Sequence, residues 1–241
     1  MKRHLFPTTS IALASLLGFL APANAAQDPS VDELLRKLPP PEKVARPVQT
    51  ALAQIDPAMR DPITHPIAQA VLRRNIARAL ALSRTLTTHY PKSFAAANLE
   101  GALAYFAHQY ASAYSSFERA VSIQPKGWFA YVGLGITAGA QDRYGRAADH
   151  FRQATNLAPR YMPAWLYLSD CAARMHNFSE SAAAARQVTI LAPNFYGGWW
   201  ELARAEKSLG HPKEAAEAQR RERIVIAAMR SGASGPVRVV H

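Results

Sequence analysis

Four groups of residues have types that chemistry uses. Gly133-x-Gly135-x-x-x-Gly139 invites a phosphate-cradling reading. Its spacing departs from the dinucleotide fingerprint, and no strand-like segment precedes it. Histidines are scattered; His108 and His150 are the pair with a chance of meeting as metal ligands, and isolated surface histidines fit better. Cys171 is the sole cysteine, which rules out an intrachain disulfide and any site built from several thiolates. It falls in a dense apolar pattern and reads as a buried, inert thiol. The tandem Trp199-Trp200 suggests stacking on a sugar, with Trp200 the more exposed of the two. There is no P-loop, no His-Glu-x-x-His and no Gly-x-Ser-x-Gly. No carboxylate pair stands out for acid–base work. A protein without catalysis, cofactor or bound metal is the expectation.

The elements that must position these residues are marked by a period. Pro57, Pro91, Pro125, Pro159 and Pro193 follow one another at 34-residue intervals. Tyr131, Trp165 and Trp199 keep the same interval, as do Leu134, Leu168 and Leu202. Gly101 pairs with Gly135, Ala113 with Ala147, Phe117 with Phe151 and Ala120 with Ala154 in the same way. Apolar residues three and four apart give each unit a sticky helical stripe. Small residues let a partner helix approach, Phe117 and Phe151 fill the space between units, and each Pro ends a unit because a helix does not run through it easily.

This pattern resembles the tetratricopeptide repeat, a helix–turn–helix unit of 34 residues. The best unit reads Tyr131, Leu134, Gly135, Ala147, Phe151, Ala154, Pro159, with Ala138 where the family has Tyr. The unit before it has Ala97 and Glu100 where Trp and Leu are usual, and the unit after it has Ser169 for the Gly. The resemblance implies an all-α fold, an α-α superhelix or solenoid of helical hairpins. Repeats are expected at 94–127, 128–161, 162–195 and 196–230, the last with a C-terminal capping helix. Residues 59–93 read as an atypical helical cap or degenerate repeat whose mid-unit turn is indistinct. A flexible tail covers 231–241.

The N-terminal residues differ. Lys2 and Arg3, an apolar stretch from Ile11 to Leu20, and Ala23-Asn24-Ala25 have the layout of a secretory signal peptide over 1–25. The apolar run is about half of the roughly 20 residues a spanning helix needs. Residues 26–58 form an N-terminal segment with a Pro-rich linker. The expected location is the periplasm.

The formal charge of +11 admits anionic partners but selects none, and an exported protein is not expected to meet nucleic acid. In the family this chain resembles, a concave groove lined by first helices holds a peptide or a partner's helix. Carried over, the lining positions are Asn98, Ala102 and Tyr105; then Val132 and Ile136; then Leu166, Asp170 and Arg174; then Trp200, Arg204 and Lys207. The leading expectation is a protein–protein adaptor of the bacterial envelope, with Arg174, Arg204 and Lys207 selecting an acidic segment, in a complex that includes membrane-associated proteins. The alternative is a binder of an anionic polymer, an exported polysaccharide or cell-wall glycan, through a basic surface. A hydrolase would require an exposed acid–base pair in the groove.

Overall fold

A computed structural model describes residues 56–231. These residues are helical with turns between them, and they divide into two compact units, 56–109 and 110–231.

The first unit opens with a 3-10 turn at Pro57–Arg60, followed by α1 (Thr64–Leu72), α2 (Ile76–His89) and α3 (Phe94–Phe106). Asp56 ties its beginning together. One carboxylate oxygen accepts from the Ala58 amide at 3.1 Å and the Ser93 hydroxyl at 2.7 Å; the other accepts from the Ala95 amide at 3.1 Å. Ser93 in turn caps α3 by accepting from the Ala96 amide at 2.9 Å. Glu100, which breaks the Leu series, is buried, and its carboxylate accepts from the Thr87 hydroxyl of α2 at 2.8 Å. The substitution thus brings a buried partner with it.

The second unit contains α4 (Tyr110–Ile123), α5 (Trp128–Ala140), α6 (Tyr144–Leu157), α7 (Met162–Arg174), α8 (Phe178–Leu191), α9 (Tyr196–Ser208) and α10 (Pro212–Arg230). Each helix packs on the next in the chain, the arrangement of stacked hairpins. Phe117 of α4 and Phe151 of α6 both reach α5. A methyl group added at Gly133 would lie 2.4 Å from the Phe117 ring, and one at Gly135 would lie 2.7 Å from the Phe151 ring. The two glycines are therefore hollows for flanking aromatics, which accounts for these two positions of the motif without a nucleotide. On its other side Phe151 stacks on Tyr167 of α7, ring centroids 5.2 Å apart.

Two backbone devices repeat through both units. The first helix of each pair ends with a residue in the left-handed region: Arg74, His108, Asp142, His176 and Gly210, with φ between 57° and 77°. The residue after each donates its amide to a carbonyl five positions back: Asn75 to Ala70, Gln109 to Ala104, Arg143 to Ala138, Asn177 to Ala172 and His211 to Glu206, at 2.8–3.0 Å. This is a Schellman closure, used five times at one spacing. The second device follows the second helices. Ser93, Gly127, Tyr161 and Phe195 donate to the carbonyls of Tyr90, Gln124, Ala158 and Ala192, which places each recurring proline in the second position of a β-turn. The aromatic series then clasps that turn: Tyr131, Trp165 and Trp199 donate to the carbonyls of Pro125, Pro159 and Pro193 at 3.2, 2.8 and 2.8 Å. Trp199 is half-buried, packs against the core of the last hairpins and works at this joint.

The turn that the sequence left indistinct in 59–93 is Arg73-Arg74-Asn75, in phase with the others. What is unusual is α1, with 9 residues where α3, α5, α7 and α9 have 13. A full-length helix would put Pro66 in its second turn, where the ring clashes with the preceding turn and a hydrogen bond is lost. Starting at Thr64 leaves Pro66 in the first turn, where neither problem arises. The expected signal peptide, linker and tail lie outside the described residues, apart from residues 56–58 and 231.

Candidate functional site

The groove positions carried over from the sequence fall in different environments. Asn98 is buried and Tyr105 half-buried on α3 of the first unit. On α5, Val132 and Ile136 are 0% and 1% exposed, so they offer no contact area to a ligand. The second unit keeps accessible positions on α7 and α9: Leu166, Arg174, Trp200 and Arg204 are half-buried and Lys207 is exposed.

Four of these positions meet in one polar cluster. Asp170 is buried near the middle of α7, and Arg174, one turn later, donates its Nε to it at 2.8 Å. The Arg174 guanidinium lies over the Tyr144 ring at 4.9 Å and donates to its hydroxyl at 3.2 Å. Tyr144 sits at the start of α6 and donates to the Asp142 carboxylate, which together with burial raises its pKa. From α9, the Arg204 guanidinium lies over the Trp200 ring at 4.9 Å. Its Nη2 donates to Glu201 at 2.5 Å and lies 3.8 Å from the Asp170 carboxylate. Both arginines are thus aromatic-backed and held against carboxyl groups of the cluster, a pairing the sequence reading did not anticipate. Lys207, one turn beyond Arg204, makes no ion pair among the described residues.

Glu201 is the residue sequence reasoning missed. It is 0% exposed, and burial pushes its carboxyl up to about 7, with the nearby Asp170 charge adding and Arg204 opposing. One of its oxygens and the Arg204 Nε are buried without hydrogen-bond partners. A signal was present. Glu201 stands one and two periods after Tyr167 and Gly133, places that face Phe151 and Phe117. One period after Phe151 the sequence has Ala185, which leaves room for another side chain at that level. An acid in that series is as anomalous as Glu100 in the Leu series. Asp170 and Glu201 thus form a carboxylate pair about Arg204 that the sequence reading did not find. Both are closed off from solvent, so as it stands the pair has no approach for a substrate.

The remaining candidates resolve simply. Cys171 is buried, and its thiol is pushed up to about 12, chiefly by that burial. His150 meets the Tyr114 hydroxyl at 2.8 Å, and burial lowers its pKa. His108 occupies a helix-ending left-handed position. No group of three or more His, Cys, Asp or Glu side chains that could hold a metal ion occurs among the described residues, and no helix there is long and apolar enough to cross a membrane.

The fold has solved counterparts. A crystal structure of MamA superposes with a TM-score of 0.65 at 15% identity, covering 73% of this chain and 96% of the other. MamA from Desulfovibrio magneticus RS-1, residues 41 to the end, gives 0.63 at 17% identity, covering 71% and 96%. YrrB, described as a TPR protein with an unusual peptide-binding site, gives 0.59 at 15% identity, covering 76% and 96%. No family model matches the chain, and no curated protein matches it. The all-α tetratricopeptide-repeat fold is therefore the class to which the structure assigns this protein.

Proposed function

We propose that this protein is a non-enzymatic scaffold of the bacterial cell envelope that receives a peptide or helix of another protein across α7 and α9. The fold supports a protein-binding role in general, and YrrB is a solved example with a peptide-binding site. The observation that carries the location is the cluster of Asp170, Arg174, Glu201 and Arg204 beside Trp200. It fixes two guanidinium groups and an aromatic surface in place, so ordering them on binding costs little.

Compensation of Arg174 and Arg204 shifts the preference for an acidic segment toward Lys207, at the accessible end of the row. Export rests on Lys2, Arg3, the apolar stretch from Ile11 to Leu20 and Ala23-Asn24-Ala25. N-terminal sequencing of the protein from the periplasmic fraction should begin at Ala26. The anionic-polymer reading is less well supported. Arg152 pairs with Asp149 and Glu180, Arg186 with Glu206, and Arg220 and Arg221 with Glu217, so much of the basic surface is locally balanced.

The test is a photoreactive residue placed at Lys207 in intact cells. One discrete envelope protein should be captured there, and a probe at Glu214 on α10 should not capture it. Trp200→Ala should weaken capture at least tenfold while the helical signal stays unchanged, and in the chain without the probe Lys207→Glu should weaken co-purification of the same protein several-fold. Equal capture from both probe positions would defeat the proposal.

A further inference from the structure

The last helix is longer than its place in the array requires. α2, α4, α6 and α8 each have 14 residues, whereas α10 has 19. A helix of the usual length would end at Val225, which is also the last buried residue of α10. The additional residues, Ile226 to Arg230, bury no side chain fully, and among them Met229 is 63% exposed.

The overrun continues a face that is basic and apolar together. Arg220, Arg223, Ile224, Ala227 and Arg230 recur at three- and four-residue spacing, and all are exposed. The preceding hairpin repeats part of this pattern one period earlier: Arg186 and Ile190 stand where Arg220 and Ile224 stand, and Ile190 is 68% exposed. Two of the exposed large hydrophobic residues, Ile190 and Ile224, therefore stand on the outer sides of α8 and α10 with four arginines, while Met229, one turn after the buried Val225, continues the inner side of α10 beyond the array. Among the described residues Arg223 and Arg230 make no ion pair, while Arg186 is held by Glu206 and Arg220 lies 3.7 Å from Glu217.

From this we infer that the outer side of α8 and α10 docks on an anionic lipid surface, a role separate from the binding of a protein on α7 and α9. Arg223 and Arg230, which have no ion pair among the described residues, fit lipid phosphates and disfavour a second copy of the same face. Ile190 and Ile224 stand exposed on two helices one period apart, which suits a planar partner. Each basic side chain near an anionic bilayer contributes, and the apolar side chains add by entering the headgroup boundary.

Flotation of the full chain with vesicles tests this. Adding phosphatidylglycerol to phosphatidylcholine vesicles should raise the bound fraction at least tenfold, and moderate salt should reverse the rise. The triple variant Arg220→Glu, Arg223→Glu, Arg230→Glu should lose that increment. The variant Ile190→Ser, Ile224→Ser should retain only a few-fold rise. All five positions are exposed, and an unchanged thermal midpoint confirms that the variants fold. The inference is overturned if phosphatidylglycerol adds nothing for the parent chain, if the charge variant binds equally well, or if the parent binds an acidic peptide through this face but not the vesicles. The proposed binding of a protein at Lys207 is read separately, so either can fail alone.

Discussion

In the α5–α6 hairpin, Phe151 lies over Gly135, and Phe117 of α4 lies over Gly133. Two periods later, α9–α10 has Gln219 for Phe151, Ala203 for Gly135 and Glu201 for Gly133. Glu206 replaces Ala138 in the same way; it is 1% exposed and is held by Arg186 and His211. The helix lengths of the first partners and the left-handed closures are the same in both hairpins. The backbone plan thus tolerates either an aromatic–glycine fit or buried carboxylates with cationic partners. The first filling is insensitive to pH, whereas the second carries a group that titrates near neutrality.

The largest test of the comparison is Phe151→Ala. It empties the space against Gly135 and Tyr167 and should cost about 3–5 kcal/mol in a denaturant titration. The matching change in the last hairpin, Gln219→Ala, removes an exposed side chain and should stay within about 0.5 kcal/mol.

Glu201 should produce the next effect. Its folded-state pKa of about 7 lies above the ordinary 4.5. The folded chain therefore holds a proton that the unfolded chain releases between these values. The stabilisation is complete below about pH 4.5 and is lost as pH rises through about 7. The group accounts for on the order of 3 kcal/mol between these limits. Glu201→Gln should flatten that slope when stability is measured from pH 5 to pH 8, leaving the variant more stable than the parent at pH 8. An unchanged slope would show that the buried carboxyl does not titrate there.

The smallest effects concern the closures. Gly210 has φ +77° with open space around it, so Gly210→Ala should cost about 1 kcal/mol through backbone strain alone. Arg74 holds the same conformation with an exposed side chain, and Arg74→Gly should recover up to about 1 kcal/mol. Shifts of the thermal midpoint in opposite directions are the readout.

Most of the helical plan was legible because packing at a fixed separation imposes residue types: Phe where a hollow waits, Pro where a turn needs a preset φ. The left-handed closures were harder to see. Their geometry is constant, but Arg, His, Asp, His and Gly occupy the five places, so no residue type announces them. That is why the turn at Arg74 was obscure although its backbone matches the others. The site was less legible still. Asp170, Arg174, Trp200 and Arg204 could be placed on the lining by phase, but phase says nothing of which charges cancel. Val132 and Ile136 occupy lining positions by phase, yet burial removes them from contact, a tertiary effect invisible in the spacing. Glu201 was passed over because it stands in a packing series rather than a lining series.

Cys171 gives the fold a built-in clock. Its sulfur is enclosed within α7 and held as the unreactive thiol. Modification by an alkylating reagent must wait for α7 to part from its neighbours, so the labelling rate counts those openings without any introduced dye. A bound partner that fastens α7 to α9 would slow the clock, turning a single sulfur atom into a gauge of occupancy.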